Sequence, residues 1–422
     1  MTDISTDTDL CTDARCSLDR SLSRRGVLGA ALAGGGFTIG SAVVQFSSPA
    51  AAAASRNTIV VLSMRGAADG LSLVVPHGDR SYYAARPTIA IPQSRLLVAD
   101  DFFGLHPKLA PLTDLWKQGR LAAVHATGLP VANRSHFSAM EEVEDADPGS
   151  TVRSGWLNRL LGSLPGSGGS PIHGLGVGAV LPTSLVGRAP VMSFDELEDA
   201  VVAGAGSFPL AQRRTPALRA TWGTERGPLG TAYRSALKGV ADLKPARSAK
   251  SRGGRFPDTD LGKALASVSQ TLRARLPVDV VTVDHGNWDM HTNLGTLEAG
   301  RMIDNANEFA QAVAAFFEDL GSLSSRVTLV TISEFGRRVV ENANRGLDHG
   351  WGNVMFLAGA GVKGGRYYGS WPGLKTTLDA DLTVTTDYRS VLAEVVAART
   401  GASLATVFPG FRPESIGVMS RS

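Results

Sequence analysis

The chain has 422 residues, of which 43% are hydrophobic and 19% are charged, as is ordinary for a soluble globular protein. Its formal net charge of +3 is too small to predict binding to nucleic acid or to an anionic membrane surface. Cys11 and Cys16 are the only cysteines. A chain that loses residues 1–54 therefore has no disulfide, thiolate ligand or cysteine nucleophile.

Residues 1–54 have the pattern of an export signal. The twin arginine Arg24-Arg25 precedes a mildly apolar run rich in glycine and alanine, and small residues follow at 50–54. This pattern predicts a twin-arginine signal peptide at 1–54 and a single domain at 55–422. We therefore expect export to the periplasm, the cell wall or the extracellular space, with no stable membrane span after cleavage. The alternative is an N-terminal membrane anchor.

The first predicted element of the domain is a buried strand at 57–64, followed by a glycine-flanked turn that carries Asp69. Asp69 is a candidate acidic metal ligand, and the alternative is an Asx turn or a helix cap. The next predicted elements are a strand at 71–76, an irregular excursion at 82–99, a helix at 106–119 and a strand at 121–128.

Arg134, Ser135 and His136 lead from this strand into an amphipathic helix. A serine at the start of a helix is commonly a cap. The same position suits a nucleophile or a bound anion, because free N–H groups and the helix dipole point towards it. The neighbouring Arg134 and His136 favour a functional role.

Residues 195–276 predict a mostly helical insertion with a basic loop. The loop is either a solvated connection or a lid that attracts an anionic substrate. Its basic residues are Lys244, Arg247, Lys250, Arg252 and Arg255.

Acids and imidazoles recur at the ends of the later strands. A valine-rich strand at 278–283 leads to Asp289 and His291, after which a helix is predicted at 297–320. The strand at 327–333 ends at Glu334, with Arg337 close behind it. A further strand is predicted to begin at 353, and Asp348 and His349 precede it. The last helix is predicted to begin at 388.

Strand ends of one α/β sheet converge in space, so these side chains predict a metal site. Carboxylates and imidazoles suit zinc, manganese or another divalent ion. Gly359–Gly364 fits the spacing G-x-G-x-x-G and follows a predicted strand, but the residues after it do not form a helical pattern, which disfavours nicotinamide binding. No G-x-S-x-G elbow is present, which disfavours a serine hydrolase of the α/β type. The candidate ligands are Asp69, Asp289, His291, Glu334, Asp348 and His349.

The ordered motifs RSHF, GWLNR, WDMH, SEFGR, LDHGWGN, GGRYYGSWPGL and TTDYR make the chain similar to the 1501 family of domains of unknown function. That family belongs with the alkaline phosphatase-like superfamily of phosphatases, sulfatases, phosphodiesterases and phosphomutases. The resemblance implies an α/β three-layer sandwich, with a mostly parallel central sheet and helices on both faces. It also implies divalent metal at the strand ends, of which zinc, manganese, calcium and magnesium are candidates.

The resemblance also implies roles for single residues. Ser135 is placed like the superfamily's Ser/Thr nucleophile, and Asp69 like the acidic ligand after its first strand. Asp289 with His291, and Asp348 with His349, resemble its metal ligands. The residues that could stabilise charge on a transferred group are Arg134, His136 and Arg337. The alternative is that Arg337 and Arg338 simply pair with nearby acids.

This chain departs from the superfamily pattern at two places. One residue separates Asp289 from His291, where the superfamily usually has three. Glu334-Phe335 stands where the superfamily has Asp-His, so one nitrogen ligand is missing. A one-metal site, an altered metal pair and a degenerate site all remain open. The expected function is an exported hydrolase of small phosphate or sulfate esters, and the alternative is an exported non-catalytic protein of the same fold.

Overall fold

The computed structural model describes residues 36–39, 42–45, 57–178, 180–201, 211–249, 255–295 and 297–420, and at 36–39, 42–45 and 211–212 only their backbone. Most of the predicted signal segment therefore lies outside the described residues, as do Lys250 and Arg252 of the predicted basic loop. None of the helices in these ranges combines the length and the apolar character needed to cross a membrane.

The strands, numbered in chain order, are β1 Gly36–Ile39, β2 Ala42–Gln45, β3 Thr58–Met64, β4 Val74–Val75, β5 Gly104–Leu105, β6 Leu121–Gly128, β7 Gly174–Val177, β8 Val191–Phe194, β9 Val280–His285, β10 Val327–Ile332, β11 Asn353–Gly359, β12 Tyr367–Tyr368 and β13 Thr386–Asp387.

The α-helices are α1 Gly70–Leu73, α2 Arg80–Ala85, α3 Thr113–Lys117, α4 His136–Asp145, α5 Trp156–Ser163, α6 Ala211–Trp222, α7 Pro228–Asp242, α8 Lys244–Arg247, α9 Asp260–Arg273, α10 Arg301–Leu320, α11 Tyr388–Arg399 and α12 Leu404–Val407. Short 3₁₀ turns lie at Gln93–Arg95, Pro107–Leu112, Ser167–Gly169, Pro171–His173, Thr183–Leu185, Leu197–Asp199 and Gly321–Arg326.

The central sheet has the strand order β1-β2-β8-β7-β9-β3-β10-β11-β6-β12, and β13 also pairs with β6. The run from β8 through β7, β9 and β3 to β10 is parallel. β11 is antiparallel to both of its neighbours, β10 and β6. The predicted mostly parallel sheet is confirmed.

Alternate residues of β3 pack on opposite faces of this sheet, as the two-residue period of a strand requires. Ile59 and Val61 join a buried cluster that includes side chains of α4, α5 and α11. Val60 and Leu62 join a second cluster that includes side chains of α9 and α10. Helices therefore cover both faces, which confirms the predicted three-layer α/β arrangement.

The strand predicted at 71–76 is wrong for its first half, where the chain forms α1 before the two-residue β4. A short apolar run does not distinguish a buried strand from a buried helical turn. Here the backbone of Leu73 turns away from the sheet, and its carbonyl oxygen accepts a hydrogen bond from the backbone N–H of His106.

His106 predicts a loss of stability in mild acid. Its side chain is buried, and its Nδ1 accepts a hydrogen bond from the backbone N–H of Lys108 at 3.0 Å. Burial, assisted by the charge of Lys108, lowers the pKa of His106 to about 4. The folded-state pKa lies below the unfolded one, so the unfolded chain takes up the proton first. The stabilisation is present above about pH 6.5 and falls by about 3 kcal/mol as the pH approaches 4.

Urea unfolding between pH 7 and pH 5 in the presence of a chelator measures this effect. The matched variant His106→Asn keeps a side-chain oxygen that accepts the Lys108 N–H but does not titrate in this range. We expect a smaller pH dependence of the unfolding free energy in His106→Asn. Equal slopes in the two proteins would show that His106 is not the titrating group.

Candidate metal centre

One edge of the central sheet collects the polar side chains that follow the strands. β3, β6, β9 and β10 all run in the same direction, so their carboxyl ends meet at this edge. Asp289 and His291 follow β9, Glu334 follows β10, and His136 begins α4 after β6. His349 precedes the antiparallel strand β11 and therefore reaches the same edge. The structure brings these five side chains together.

Two glycines allow the loops at this edge to approach each other closely. Gly66 has φ of +101°, and a Cβ there would lie 2.6 Å from the backbone nitrogen of Asp289. A Cβ on Gly336 would lie 1.8 Å from the carbonyl oxygen of Gly352. The loops after β3, β9 and β10 and the loop before β11 are thus packed backbone to backbone, which fixes the side chains they carry.

Three imidazoles face one another through their Nε2 atoms. Nε2 of His349 lies 2.9 Å from Nε2 of His136 and 2.9 Å from Nε2 of His291. The three side chains are between 25% and 41% exposed, so the cluster opens to solvent.

The other ring nitrogen of each imidazole contacts an oxygen acceptor. Nδ1 of His136 lies 2.8 Å from Oε1 of Glu334, and Nδ1 of His291 lies 2.8 Å from Oδ1 of Asp348. Nδ1 of His349 lies 2.9 Å from the carbonyl oxygen of Arg134. Each Nδ1 is therefore the donor, and each Nε2 is left with its lone pair towards the centre of the cluster.

Lone pairs on neutral imidazoles repel at 2.9 Å, so a shared proton or a metal ion is needed between each facing pair of Nε2 atoms. Acceptors behind the Nδ1 atoms are the arrangement that metal-binding histidines usually have in proteins, because they fix the tautomer and the ring orientation. The contacts of Glu334 and Asp348 thus orient imidazoles.

Asp289 adds an oxygen to the cluster. Its Oδ1 lies 3.0 Å from Nε2 of His291, 3.6 Å from Nε2 of His349 and 3.7 Å from Nε2 of His136. Burial acts to raise the pKa of Asp289, but the hydrogen bond and the charge of Arg337 outweigh it and hold the pKa below its ordinary value. The carboxylate is therefore ionised and available as a ligand at neutral pH.

The donor set fits a divalent metal ion. The ligand atoms of His136, Asp289 and His349 lie within 4.8 Å of one another, and His291 contacts two of these residues. Imidazole nitrogens with one carboxylate are a usual set for zinc, which prefers four ligands. Calcium and magnesium prefer sets made of oxygen, so they fit these residues less well.

Two further pKa shifts keep the cluster ready to bind metal. Burial lowers the pKa of His349, and together with the charge of Arg337 it outweighs the hydrogen bond to the carbonyl oxygen of Arg134, which acts to raise that pKa. The hydrogen bond from His291 lowers the pKa of Asp348 and outweighs its burial. Both shifts favour a neutral His349 and an ionised Asp348 at neutral pH, and metal binding requires a deprotonated imidazole.

Arg337 is buried beneath the cluster with only 1% of its side chain exposed. Its Nη2 lies 2.6 Å from Oδ1 of Asp289. The guanidinium also donates to the backbone carbonyl oxygens of Gly66, Ala67, Trp288 and Leu347. Arg337 therefore ties together the loops that carry the site, and its donors point at protein acceptors.

Ser135 lies at the N-cap of α4, next to His136, and is exposed. Its side chain makes no capping hydrogen bond, and its backbone N–H donates to Oδ1 of Asn133 at 3.1 Å. The neighbouring Arg134 pairs with Asp381. The hydroxyl of Ser135 is thus not used to cap the helix that it begins.

Asp69 takes no part in the cluster. Its Oδ2 lies 2.6 Å from Nη1 of Arg86, its Oδ1 lies 3.0 Å from Nη2 of the same residue, and both side chains are almost fully buried. Asp284 and His285, the last two residues of β9, are engaged elsewhere. Asp284 pairs with Arg65, and His285 accepts a hydrogen bond from Trp288. Asp69, the carboxylate predicted as a metal ligand after the first strand, is therefore half of a buried ion pair with Arg86.

The sequence does not show which side chains face the centre of the cluster and which contact the imidazoles from behind. Glu334 and Asp348 were both grouped with the ligands, but they contact the Nδ1 atoms of His136 and His291 from behind. The sequence pattern predicts a charge-stabilising role for His136, but its Nε2 faces Nε2 of His349 and lies near Oδ1 of Asp289. Two signals in the sequence point to His136: it follows a strand, as the other acids and imidazoles do, and it comes directly after Ser135 at the start of a helix.

A cavity of about 350 Å³ adjoins the cluster on the side of His136. Its lining includes Arg65, Phe137, Met140 and Thr183, together with the carboxylates of Glu141, Glu144 and Glu334. This space is large enough for a small organic group bound beside the cluster.

The model of a family described as "Protein of unknown function (DUF1501)" matches residues 107–398, which is more than half of the chain. No curated protein matches this sequence.

Solved structures give weak likenesses to most of the chain. The C-terminal periplasmic domain of EcEptC from Escherichia coli, in complex with Zn, is 12% identical with a TM-score of 0.33, covering 74% of this chain and 77% of that one. The PsFucS1 sulfatase from Pseudoalteromonas sp. is 10% identical with a TM-score of 0.36, covering 87% and 73%. The phosphonate monoester hydrolase SpPMH from Silicibacter pomeroyi is 11% identical with a TM-score of 0.32, covering 85% and 78%. Likenesses this weak carry no inference about activity.

Proposed function

The chain belongs to the DUF1501 family, and we propose that it is an exported, metal-dependent hydrolase of small phosphate or sulfate esters. The observation that carries this proposal is the convergence of three imidazole Nε2 atoms and one carboxylate at the end of the sheet, with an oxygen acceptor behind each imidazole. Three facing Nε2 lone pairs cost free energy in the folded state unless a cation binds between them.

In this proposal His136, His291, His349 and Asp289 hold the metal ion, and the imidazole-rich set favours zinc. When bound, such an ion supplies Lewis-acid polarisation of a phosphoryl or sulfuryl oxygen and lowers the pKa of a bound hydroxyl or water. The site carries Arg337 beneath the cluster and Arg134 at its rim. Arg337 pairs with Asp289 and Arg134 with Asp381, so the bound metal ion would supply the positive charge that favours an anionic ester over a neutral one.

We assign the nucleophile to Ser135. Its oxygen forms a bond to phosphorus or sulfur, the bond to the ester oxygen breaks, and that oxygen leaves with the electron pair and takes a proton. Water then displaces the serine, whose oxygen regains a proton as inorganic phosphate or sulfate departs. Free N–H groups in the first turn of α4 stabilise negative charge near Ser135.

The proposed location is outside the cytoplasm. The twin-arginine pattern at 1–54 supports export, and that route carries folded proteins. It therefore suits a protein that takes up its metal before it leaves the cytoplasm.

Turnover of 4-nitrophenyl phosphate, bis(4-nitrophenyl) phosphate and 4-nitrophenyl sulfate by zinc- or manganese-loaded protein tests the proposal. We expect turnover of at least one ester, and we expect Ser135→Ala to reduce kcat by more than about 100-fold. The matched control is Ser138→Ala, which removes an exposed hydroxyl from the same helical turn. Metal-loaded protein that turns over none of the esters contradicts the proposal.

A second candidate is a non-catalytic protein that keeps the metal for structure or partner binding. One observation favours it: three imidazoles and one carboxylate would complete a four-ligand shell, which is typical of structural zinc sites. Stoichiometric metal without turnover, together with a lower thermal midpoint after chelation, would favour this candidate over the hydrolase.

A further inference from the structure

We infer that the cluster binds a single metal ion and that the fixed guanidinium of Arg337 stands in place of a second cation. This inference rests on the metal site of the proposed function and adds its stoichiometry. It follows from the contacts of the other predicted ligands, of Phe335 and of Arg337.

The other carboxylates predicted as ligands are bound to protein donors. Oε1 of Glu334 lies 2.8 Å from Nδ1 of His136 and accepts the backbone N–H of Gly66 at 2.8 Å, and its Oε2 accepts from Ser333 at 3.1 Å. Asp69 is neutralised by the buried Arg86. Both carboxylates are buried and already accept hydrogen bonds from protein donors, so binding a second ion would require breaking those contacts.

Asp348 supports an imidazole from the other side of the cluster, and its side chain is 59% exposed. Its Oδ1 lies 2.8 Å from Nδ1 of His291 and accepts from Nδ2 of Asn342 at 3.2 Å. The carboxylate that does face the Nε2 atoms is Asp289, and its Oδ1 is close to all three of them. The donor atoms therefore describe one centre.

Phe335 fills the space where another imidazole would be needed. It is buried, and its ring centroid lies 4.9 Å from the ring centroids of both His136 and His349. An apolar ring at this position supports the two imidazoles by packing and supplies no ligand.

Arg337 supplies a permanent positive charge beside Asp289 and His291. Its Nη2 lies 2.6 Å from Oδ1 of Asp289 and its Nη1 lies 3.5 Å from Nε2 of His291. One divalent ion and this guanidinium together balance the charges of Asp289, Glu334 and Asp348. A second divalent ion would leave a partly buried cluster with two excess positive charges, which low-dielectric surroundings disfavour.

Metal counting on the purified full chain tests the inference independently of turnover. We expect elemental analysis and zinc calorimetry to give one ion per chain. Protein loaded with manganese should show the electron paramagnetic resonance spectrum of an isolated ion. Two ions per chain, or a spin-coupled manganese spectrum, overturns the inference and leaves the proposed hydrolase in place. One ion without ester turnover supports the inference and removes the hydrolase proposal. No bound metal overturns both.

The variant Phe335→His tests whether Arg337 limits the number of bound metal ions. It restores the nitrogen that the pattern lacks while the guanidinium stays in place. We expect one ion per chain in this variant, as in the wild type. Two ions per chain in Phe335→His would show that the missing imidazole, and not Arg337, limits the stoichiometry. If this variant does not fold, Arg337→Gln in the wild-type background replaces it, and we expect it to admit additional zinc at high metal concentration. A count that stays at one overturns the role of Arg337.

Discussion

The variant His349→Ala should lose its bound metal and its ester turnover together. His349 is the imidazole whose Nε2 contacts both of the other two, at 2.9 Å each. Loss of a residue that only supports a ligand costs about 10–100-fold in metal affinity. Loss of a direct ligand at the centre of the cluster should therefore exceed about 100-fold. Zinc calorimetry and elemental analysis after dialysis measure the change.

A matched control is His77→Ala. His77 is also largely buried, but its Nε2 contacts the carbonyl oxygen of Asp100, outside the cluster. This variant should keep wild-type zinc affinity, which separates the loss of a ligand from the loss of any histidine. A folded His349→Ala protein with undiminished zinc affinity would refute the assignment of the centre.

The position of the site was predictable from the sequence because it depends on sheet topology. Buried strands are recognisable as apolar, β-branched runs, and the carboxyl ends of parallel strands meet at one edge. That reasoning placed Asp289, His291 and His349 together before any contact was known. It even extended to His349, which precedes an antiparallel strand, because the start of that strand lies at the same edge.

Which side chains face the centre of the site, and which stand behind them, is not predictable from the sequence. Which atom of a carboxylate or an imidazole faces the centre depends on side-chain directions at a scale of about 3 Å, which residue spacing does not encode. Glu334 and Asp348 were therefore grouped with the ligands, although both stand behind an imidazole. His136 was separated from them for the same reason.

Asp69 illustrates a different gap between sequence and structure. Its partner Arg86 follows α2, in a stretch with no regular pattern, and nothing in the spacing of 17 residues indicates a contact. An acid after the first strand therefore has the same appearance in the sequence whether it binds a metal or an arginine. Burial of both side chains, which the sequence does not reveal, decides between them.

The variant Asp69→Asn should be strongly destabilised and still bind metal. Arg86 is fully buried, and its guanidinium also donates to the backbone carbonyl oxygens of Arg338 and Val339. Removing the charge of Asp69 leaves a buried cation without a counter-ion, which costs about 3–5 kcal/mol of unfolding free energy. Urea unfolding measures that loss, and elemental analysis below the transition should still find the wild-type amount of zinc.

The control for Asp69→Asn is Glu298→Gln, which removes one charge of the exposed pair between Arg95 and Glu298. An exposed pair of this kind contributes less than about 1 kcal/mol, because water screens both charges. A large loss of stability in Asp69→Asn alone, with zinc retained, assigns Asp69 to the ion pair. If Asp69→Asn instead keeps its stability and loses zinc, Asp69 is a metal ligand as the sequence pattern predicted. The two measurements together therefore decide between a carboxylate that holds the fold and one that holds the metal.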